Sequence, residues 1–314
     1  MIANPHPDAR RAPPSRPPPS QSSPLPLSPH ADGWDGNPFS SAEHVRQSNY
    51  FAREDARLRC LSRDESDPVQ SLLAATADGA FRALIDAADY PCVGAKSTVH
   101  RNSYRIGVYA ELAGDDATSG LCRDLYRFSR EFESLDADFA TFAAVFTGPA
   151  DLDELGFEGL LWQQLQALNV ADTAFHEWDG RVDSDPDSDA FSFSFGGEAF
   201  FIVGLHPRAS RAARRFPWPT LIFNAHSQFD RLREAGKMER MKQVIRRKDT
   251  HLQGQINPML RDFGDASEAR QYSGRHVGED WSPPFEAADD AVARRAAAAG
   301  CPLYAAQPRE RTGR

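Results

Sequence analysis

Cysteine is scarce in this chain. Cys60, Cys92, Cys122 and Cys301 are the only four among 314 residues. They lie far apart with no C-x-x-C pair, which excludes a disulfide-stapled secreted module and a zinc ribbon. Each reads first as a small buried apolar side chain of a protein in a reducing compartment. Lysine is as rare: Lys96, Lys237, Lys242 and Lys248 are the only four among 36 basic residues, so the positive charge rests on arginine. No apolar run approaches the ~20 residues that a membrane-spanning helix requires, and Ala199–Leu205 has only the length of a strand. The N-terminus has no basic segment followed by an apolar stretch, so a secretory signal is not expected. These features predict a soluble, cytoplasmic protein with no membrane partner. Also missing are a G-x-x-x-x-G-K-[ST] loop, a G-x-G-x-x-G turn after a strand, an H-E-x-x-H helix and a G-x-S-x-G elbow. Their absence counts against a P-loop ATPase, a Rossmann dehydrogenase, a zincin protease and an ordinary esterase.

What is present describes an acidic chain with a full core. Acidic residues number 45, the net charge is −9, and 40% of residues are hydrophobic. That balance argues against nucleic acid or an anionic membrane as partner, while leaving room for a local basic pocket. Residues 1–40 are dominated by Pro and Ser, as in Pro13-Pro14-Ser15-Arg16-Pro17-Pro18-Pro19. Such a segment lacks the apolar content that offsets ordering entropy, and reads as a disordered spacer. Residues 41–286 form the expected single domain, and 287–314 a short Ala/Arg helix (Asp289–Ala299) with a polar end.

Within the core the hydrophobic period changes repeatedly. Helical spacing marks 69–88, 119–134, 156–169 and 227–248, the last with Ser227-x-x-Asp230 as a possible cap. Strand alternation marks 104–112, and an apolar strand is expected at 139–146. Phe191-Ser192-Phe193-Ser194-Phe195 runs into Gly196-Gly197 and then Glu198–Leu205, which predicts a tight hairpin, with a further strand over 220–223. The predicted fold is α+β, a largely antiparallel sheet with flanking helices.

Chemistry-bearing residues gather in the second half. His206 closes the hairpin and His226 stands at the next strand-to-helix junction, so both are expected at strand ends of one neighbourhood. Neutral imidazole is the commonest protein metal ligand, although each reads equally as a buried histidine bonded to backbone. Arg208, Arg211, Arg214 and Arg215 put four guanidinium groups into eight residues, either an anion site or a solvated helix face. The stretch 249–275 is polar, broken by Gly and Pro, and suits a loop laid over a site.

Several of these segments resemble the YqcI/YcgG family. They are Pro91-Cys92-Val93-Gly94-Ala95-Lys96, the Phe191–Pro207 hairpin and Phe223-Asn224-Ala225-His226-Ser227-Gln228-Phe229. Two longer ones are Leu252-Gln253-Gly254-Gln255-Ile256-Asn257-Pro258-Met259-Leu260 and Ser267-Glu268-Ala269-Arg270-Gln271-Tyr272-Ser273-Gly274-Arg275. The resemblance runs from about Pro91 to Phe285. It departs at Pro283-Pro284-Phe285, where Cys-Pro-Phe is expected, and at Ala225 and Ser227 around His226. Both changes bear on substrate choice.

The family includes haem-dependent N-oxygenases, among them arginine N-hydroxylases and the pre-guanitoxin N-hydroxylase. The resemblance therefore implies a haem b monooxygenase, an oxidoreductase that hydroxylates a nitrogen of a guanidine- or amine-containing small molecule in natural-product biosynthesis. It would use O2 and an external electron donor. A haem needs an axial ligand, an apolar slot and cations for its propionates. On this reading His226 is the first choice of axial ligand, His206 the second and the Cys92 thiolate the third. Arg208, Arg211, Arg214 or Arg215 would meet the propionates. The strand phenylalanines, Phe193 and Phe201 among them, would wall the slot, and Glu268 and Asp262 would face the substrate nitrogen. Two rivals remain: a non-haem iron oxygenase built on His206, His226 and a carboxylate such as Asp230, and a haem- or anion-binding protein without turnover.

Overall fold

A computed structural model describes residues 36–63, 67–135, 138–257, 259 and 264–288. Asp262, residues 1–35 of the Pro/Ser segment and the expected helix Asp289–Ala299 lie outside the described residues.

The described chain is α+β. Seven strands form one sheet: β1 (Tyr50–Glu54), β2 (Arg57–Cys60), β3 (Tyr104–Glu111), β4 (Thr141–Gly148), β5 (Phe193–Phe195), β6 (Glu198–Leu205) and β7 (Thr220–Ala225). Their order is β2-β1-β3-β4-β7-β6-β5. Only β3 and β4 run parallel, because α4 (Asp115–Glu131) crosses between them; every other neighbouring pair is antiparallel. At the β5–β6 turn Gly196 and Gly197 take φ values of 65° and 74°, the left-handed region that a two-residue hairpin turn demands.

Strict alternation along the central strands sorts side chains to two faces. Phe142, Phe223, Phe200 and Ile202 point to one face. There α4 and α5 (Glu154–Asp172) bury Leu121, Leu125, Phe128, Leu161, Trp162 and Leu165 against them. Ala143, Val145, Ile222 and Leu205 point to the other face, shared with Phe81 and Ile85 of α2 (Pro68–Asp86) and Val99 of α3 (Val93–Arg101). Three carboxylates tie the layers together. Asp124 accepts from the Asn49 amide at 2.8 Å, the Tyr109 hydroxyl at 2.7 Å and the Ser48 hydroxyl. Glu131 takes the Tyr50 hydroxyl at 2.8 Å and Arg105 Nε at 2.6 Å. Asp78 takes Tyr104 and Arg53.

The structure corrects three sequence expectations. Phe39, which composition assigned to the Pro/Ser segment, is fully buried and stacks on Phe195 with ring centroids 5.5 Å apart. The single helix expected over 227–248 is two, α6 (His226–Glu234) and α7 (Met238–Gln253), because Gly236 adopts φ 66° between them. Ser227-x-x-Asp230 does not cap α6, whose N-cap is Ala225 without a side-chain bond; Asp230 pairs with Arg233 instead. Periodicity also missed α1 (Ala42–Gln47), the β1–β2 hairpin and α3.

Two measurements probe this packing. Gly204 lies under α5, and a Cβ there would stand 2.7 Å from the Phe157 ring and 2.8 Å from the Tyr272 carbonyl oxygen. Gly204→Ala should therefore cost about 1–3 kcal/mol in denaturant melts. His44 is buried with Nδ1 2.7 Å from Ser41 Oγ, and burial, aided by Arg123, lowers its pKa from 6.5 to about 4. Between those values the unfolded chain binds a proton that the folded imidazole rejects, so stability falls as pH drops through this window. The stability difference between pH 7.5 and pH 4 should be smaller in His44→Gln than in the natural chain.

Candidate functional site

The face of the sheet that carries α2 and α3 is incompletely covered, and a cavity of about 560 Å³ opens there. This is an ordinary size for a small-molecule or cofactor site. Its floor is the alternate residues Thr141, Ile222, Asn224, Phe201, Val203 and Leu205 of β4, β7 and β6. Asn224 is fixed in place, accepting from Thr141 Oγ1 at 2.7 Å and donating to the Phe201 carbonyl at 3.2 Å. One wall is the start of α3, with Cys92, Gly94, Ala95 and Thr98. The roof is α7, whose Met238, Met241 and Ile245 at helical spacing point into the cavity. The sequence pattern assigned Met241 and Ile245 to core packing; both face this space and are only half-buried.

Charge in the cavity is arranged in two groups. Arg211, Arg214, Arg233, Lys242 and Arg246 supply cations, and Asp249 and Glu268 supply carboxylates. Arg211 Nη2 binds both oxygens of Asp249 at 2.7 Å, and Asp249 Oδ2 also accepts the Asn257 amide at 2.9 Å. This ion pair ties the short 3-10 turn Ala212–Arg214 to the C-terminal end of the roof helix. Gln253 reinforces it by accepting the Ala212 amide at 2.9 Å. Arg214 donates to three carbonyl oxygens, of Gly204 at 2.9 Å, Gln271 at 3.1 Å and Tyr272 at 3.2 Å. Burial lowers its pKa to about 10, which still leaves it charged at neutral pH. Glu268 is 6% exposed, and its charge, after burial itself, holds the Tyr272 phenol well above the usual range.

Cys92 is the N-cap of α3, and its Sγ accepts the Ala95 amide at 3.4 Å. Burial raises its pKa, while the Ala95 and Gly94 amides and the Arg214 charge pull the other way. The sulfur therefore sits in an apolar wall with amide donors and a guanidinium charge on one side of it.

The two histidines are not neighbours. Leu205, just before His206, pairs with Thr220, whereas Ala225, just before His226, pairs with Phe200. The imidazoles thus lie beyond opposite ends of the β6–β7 ladder, whose paired residues alone span about 17 Å at ~3.4 Å per residue. Neither belongs to the cavity lining. His206 is 1% exposed and stacks on Phe157 at 4.5 Å, against α5 on the other side of the sheet; burial lowers its pKa, so it is neutral. His226 is 4% exposed, with Nδ1 3.6 Å from Asp230 Oδ2 and Nε2 3.5 Å from Glu268 Oε1. A shared two-histidine iron site is thereby ruled out by distance. Among the described residues no three His, Cys, Asp or Glu side chains converge as a metal cage.

The remaining expectations divide. Phe201, Arg211, Arg214 and Glu268 line the cavity. Arg208 does not; it makes an exposed ion pair with Asp151 at 2.8 Å. Arg215 turns away to the Ala209 carbonyl at 2.8 Å. Phe193 packs on the opposite face with Trp178 and Phe285, because its register with Phe200 fixes that direction. The alternation in sequence showed that the phenylalanines share a face, but not which layer covers it.

Comparison with known proteins bears on this region. The model of the YqcI/YcgG family matches residues 81–286. The chain belongs to the YqcI/YcgG family. Similar proteins include the "Uncharacterized protein YcgG" of Bacillus subtilis (strain 168), 29% identical over 199 residues, which cover 60% of this chain and 76% of that one. The "Uncharacterized protein YqcI" of the same strain is 26% identical over 195 residues, covering 58% and 74%. No solved structure matches the chain. The family region begins at Phe81 and contains every residue that lines the cavity, whereas α1 and the β1–β2 hairpin precede it.

The Arg211–Asp249 pair offers a direct test of how the roof is held. Removing one partner leaves a buried charge, so Asp249→Leu should cost about 3–5 kcal/mol. Arg211→Met combined with Asp249→Leu should recover most of that loss, as read by a double-mutant cycle in urea.

Proposed function

We propose that this protein is a haem-dependent monooxygenase that hydroxylates a nitrogen of a guanidine- or amine-containing small molecule. The observation that carries the reading is one cavity combining an apolar floor, a sulfur at a helix N-terminus, a cationic rim and a buried carboxylate. Each part answers a requirement of the group. Its flat apolar macrocycle suits the floor of Phe201, Val203, Leu205 and Ile222 beneath Met238 and Met241. Arg211, Arg214, Lys242 and Arg246 suit propionate carboxylates, whose forks match guanidinium geometry.

Cys92 would hold the iron. It stands in the cavity wall, whereas His206 and His226 do not, and this reverses the order of preference drawn from sequence alone. Loss of the thiol proton is favoured by a bound metal and by the amides of Ala95 and Gly94. When bound, haem supplies the activation of O2, and a thiolate ligand favours cleavage of the O–O bond. The chain's own residues position the substrate and exclude water. Glu268, buried at the cavity edge, is the carboxylate to pair with a protonated amine or guanidinium. Electrons would come from an external donor. A cytoplasmic setting is part of the same proposal; among the described residues no helix is long and apolar enough to cross a membrane.

Absorption spectroscopy tests the proposal. The full chain expressed with haem precursor should take up one haem, and the position of the reduced carbon monoxide band should indicate thiolate ligation. Cys92→Ser should abolish that signature, while His206→Ala and His226→Ala retain it. A folded, colourless protein that ignores added haem would overturn the proposal. Retention of the thiolate signature in Cys92→Ser would overturn the ligand assignment.

A further inference from the structure

His226 stands just outside the cavity lining, behind Glu268. It opens α6, its ring is buried, and a carboxylate stands off each nitrogen. On the outer side is Asp230 Oδ2, 3.6 Å from Nδ1, on a side chain 42% exposed whose other oxygen, Oδ1, pairs with Arg233. On the inner side is Glu268 Oε1, 3.5 Å from Nε2, on a side chain 8% exposed that lines the cavity. Surface carboxylate, buried imidazole and cavity carboxylate therefore stand in series. Both separations are just beyond a hydrogen bond, within what a small side-chain rotation closes.

We infer that Asp230, His226 and Glu268 form a proton relay from solvent into the cavity. The inference rests on the monooxygenase reading for its purpose, though not for its existence. Hydroxylating an amine nitrogen takes one O2, two electrons from an external reductant and two protons, and yields the N-hydroxylated product and one water. The electrons can arrive through a cofactor, but the protons must cross the protein. An occupant filling the cavity would displace the bulk water that otherwise delivers them.

In each passage Nδ1 of His226 gains a proton from the Asp230 side, giving the imidazolium. The Nε2–H bond then breaks as the Glu268 Oε1–H bond forms, which returns the ring to neutral in its other tautomer. A ring flip or back-exchange resets it. Imidazole is the group suited to this, since it can gain a proton on one nitrogen while losing one from the other. Glu268 then hands the proton to the reacting centre and is again a carboxylate. His226 and Asp230 are positioning residues of the relay; Glu268 is its terminus and touches the substrate space.

The relay can be tested on the cofactor-free full chain by an infrared-detected pH jump, following the carboxyl band that Glu268→Gln removes. In the natural chain this band should follow the external pH without a lag. In His226→Phe it should respond about 10²-fold more slowly while reaching the same final amplitude, the low end of what a positioned proton donor contributes. Asp230→Asn, a substitution at an exposed site, should slow the response by a smaller factor and serves if His226→Phe does not fold. In haem-loaded protein His226→Gln should lower kcat about 10²-fold with KM for the amine unchanged. Equal response rates in all variants, or no Glu268-dependent band, would overturn the relay. Those results leave the haem assignment standing, and loss of the haem assignment leaves the infrared result intact.

Discussion

The alternation of β4, β7 and β6 is the constraint on which the site depends. One set of alternate residues is sealed by α4 and α5 into an aromatic core that includes Trp162, Phe142, Phe200 and Phe223. The opposite set continues into Phe201, Val203, Asn224 and Thr141, which α2 and α3 flank without closing the space over them. An apolar sheet face cannot remain open to water without cost, so something must cover it. Here the cover is α7, a helix attached by Arg211–Asp249 and Gln253 at one end and following the Gly236 bend at the other. A cavity results because this cover stands off from the floor. Its residues along the inner face, Met241 and Ile245, remain half-buried.

Much of the frame was legible from period alone. Tyr104, Ile106 and Val108 alternate and form a strand; Leu121, Leu125 and Phe128 recur at helical spacing and form a helix; Gly196-Gly197 turns a hairpin. What escaped were the short elements. The β1–β2 hairpin has a second strand of only four residues, Arg57–Cys60, whose alternation is too short to announce it. The start of α3 is set by a cysteine cap, and cysteine is not among the usual N-cap residues. The break at Gly236 was hidden because apolar residues recur on both sides of it, Phe229 and Leu232 before and Met241, Val244 and Ile245 after. Phe39 lay in a stretch whose composition pointed to disorder, yet one buried ring and its contacts suffice to order the residues around it.

The site itself was half legible, and the reason is topological. His206 and His226 are 20 positions apart and both end strands, so sequence placed them together. Antiparallel pairing carries them to opposite ends of one ladder, which no local pattern reveals. The arginine run had the opposite fault. Its four members look equivalent in sequence, but the 3-10 turn at Ala212–Arg214 rotates successive side chains in different directions. Arg211 and Arg214 enter the cavity while Arg208 and Arg215 turn outward. Glu268 could be picked out only through its motif, since nothing in a polar loop distinguishes a solvated carboxylate from one buried beside an imidazole.

Electrostatics adds a further step. The chain carries a net charge of −9, yet this cavity gathers Arg211, Arg214, Lys242 and Arg246. Asp249 offsets Arg211 directly, whereas Arg214 is held by carbonyl dipoles, which orient a guanidinium without cancelling its charge. A cation kept in a partly desolvated wall favours an anionic group in the space before it, because the field there is weakly screened. Glu268 meets the same argument with the sign reversed, a buried carboxylate on the cavity wall 3.5 Å from the His226 ring. An occupant of the proposed kind would set its anionic groups toward Arg214 and a cationic centre toward Glu268. A neutral apolar molecule of the same volume would leave both charges uncompensated.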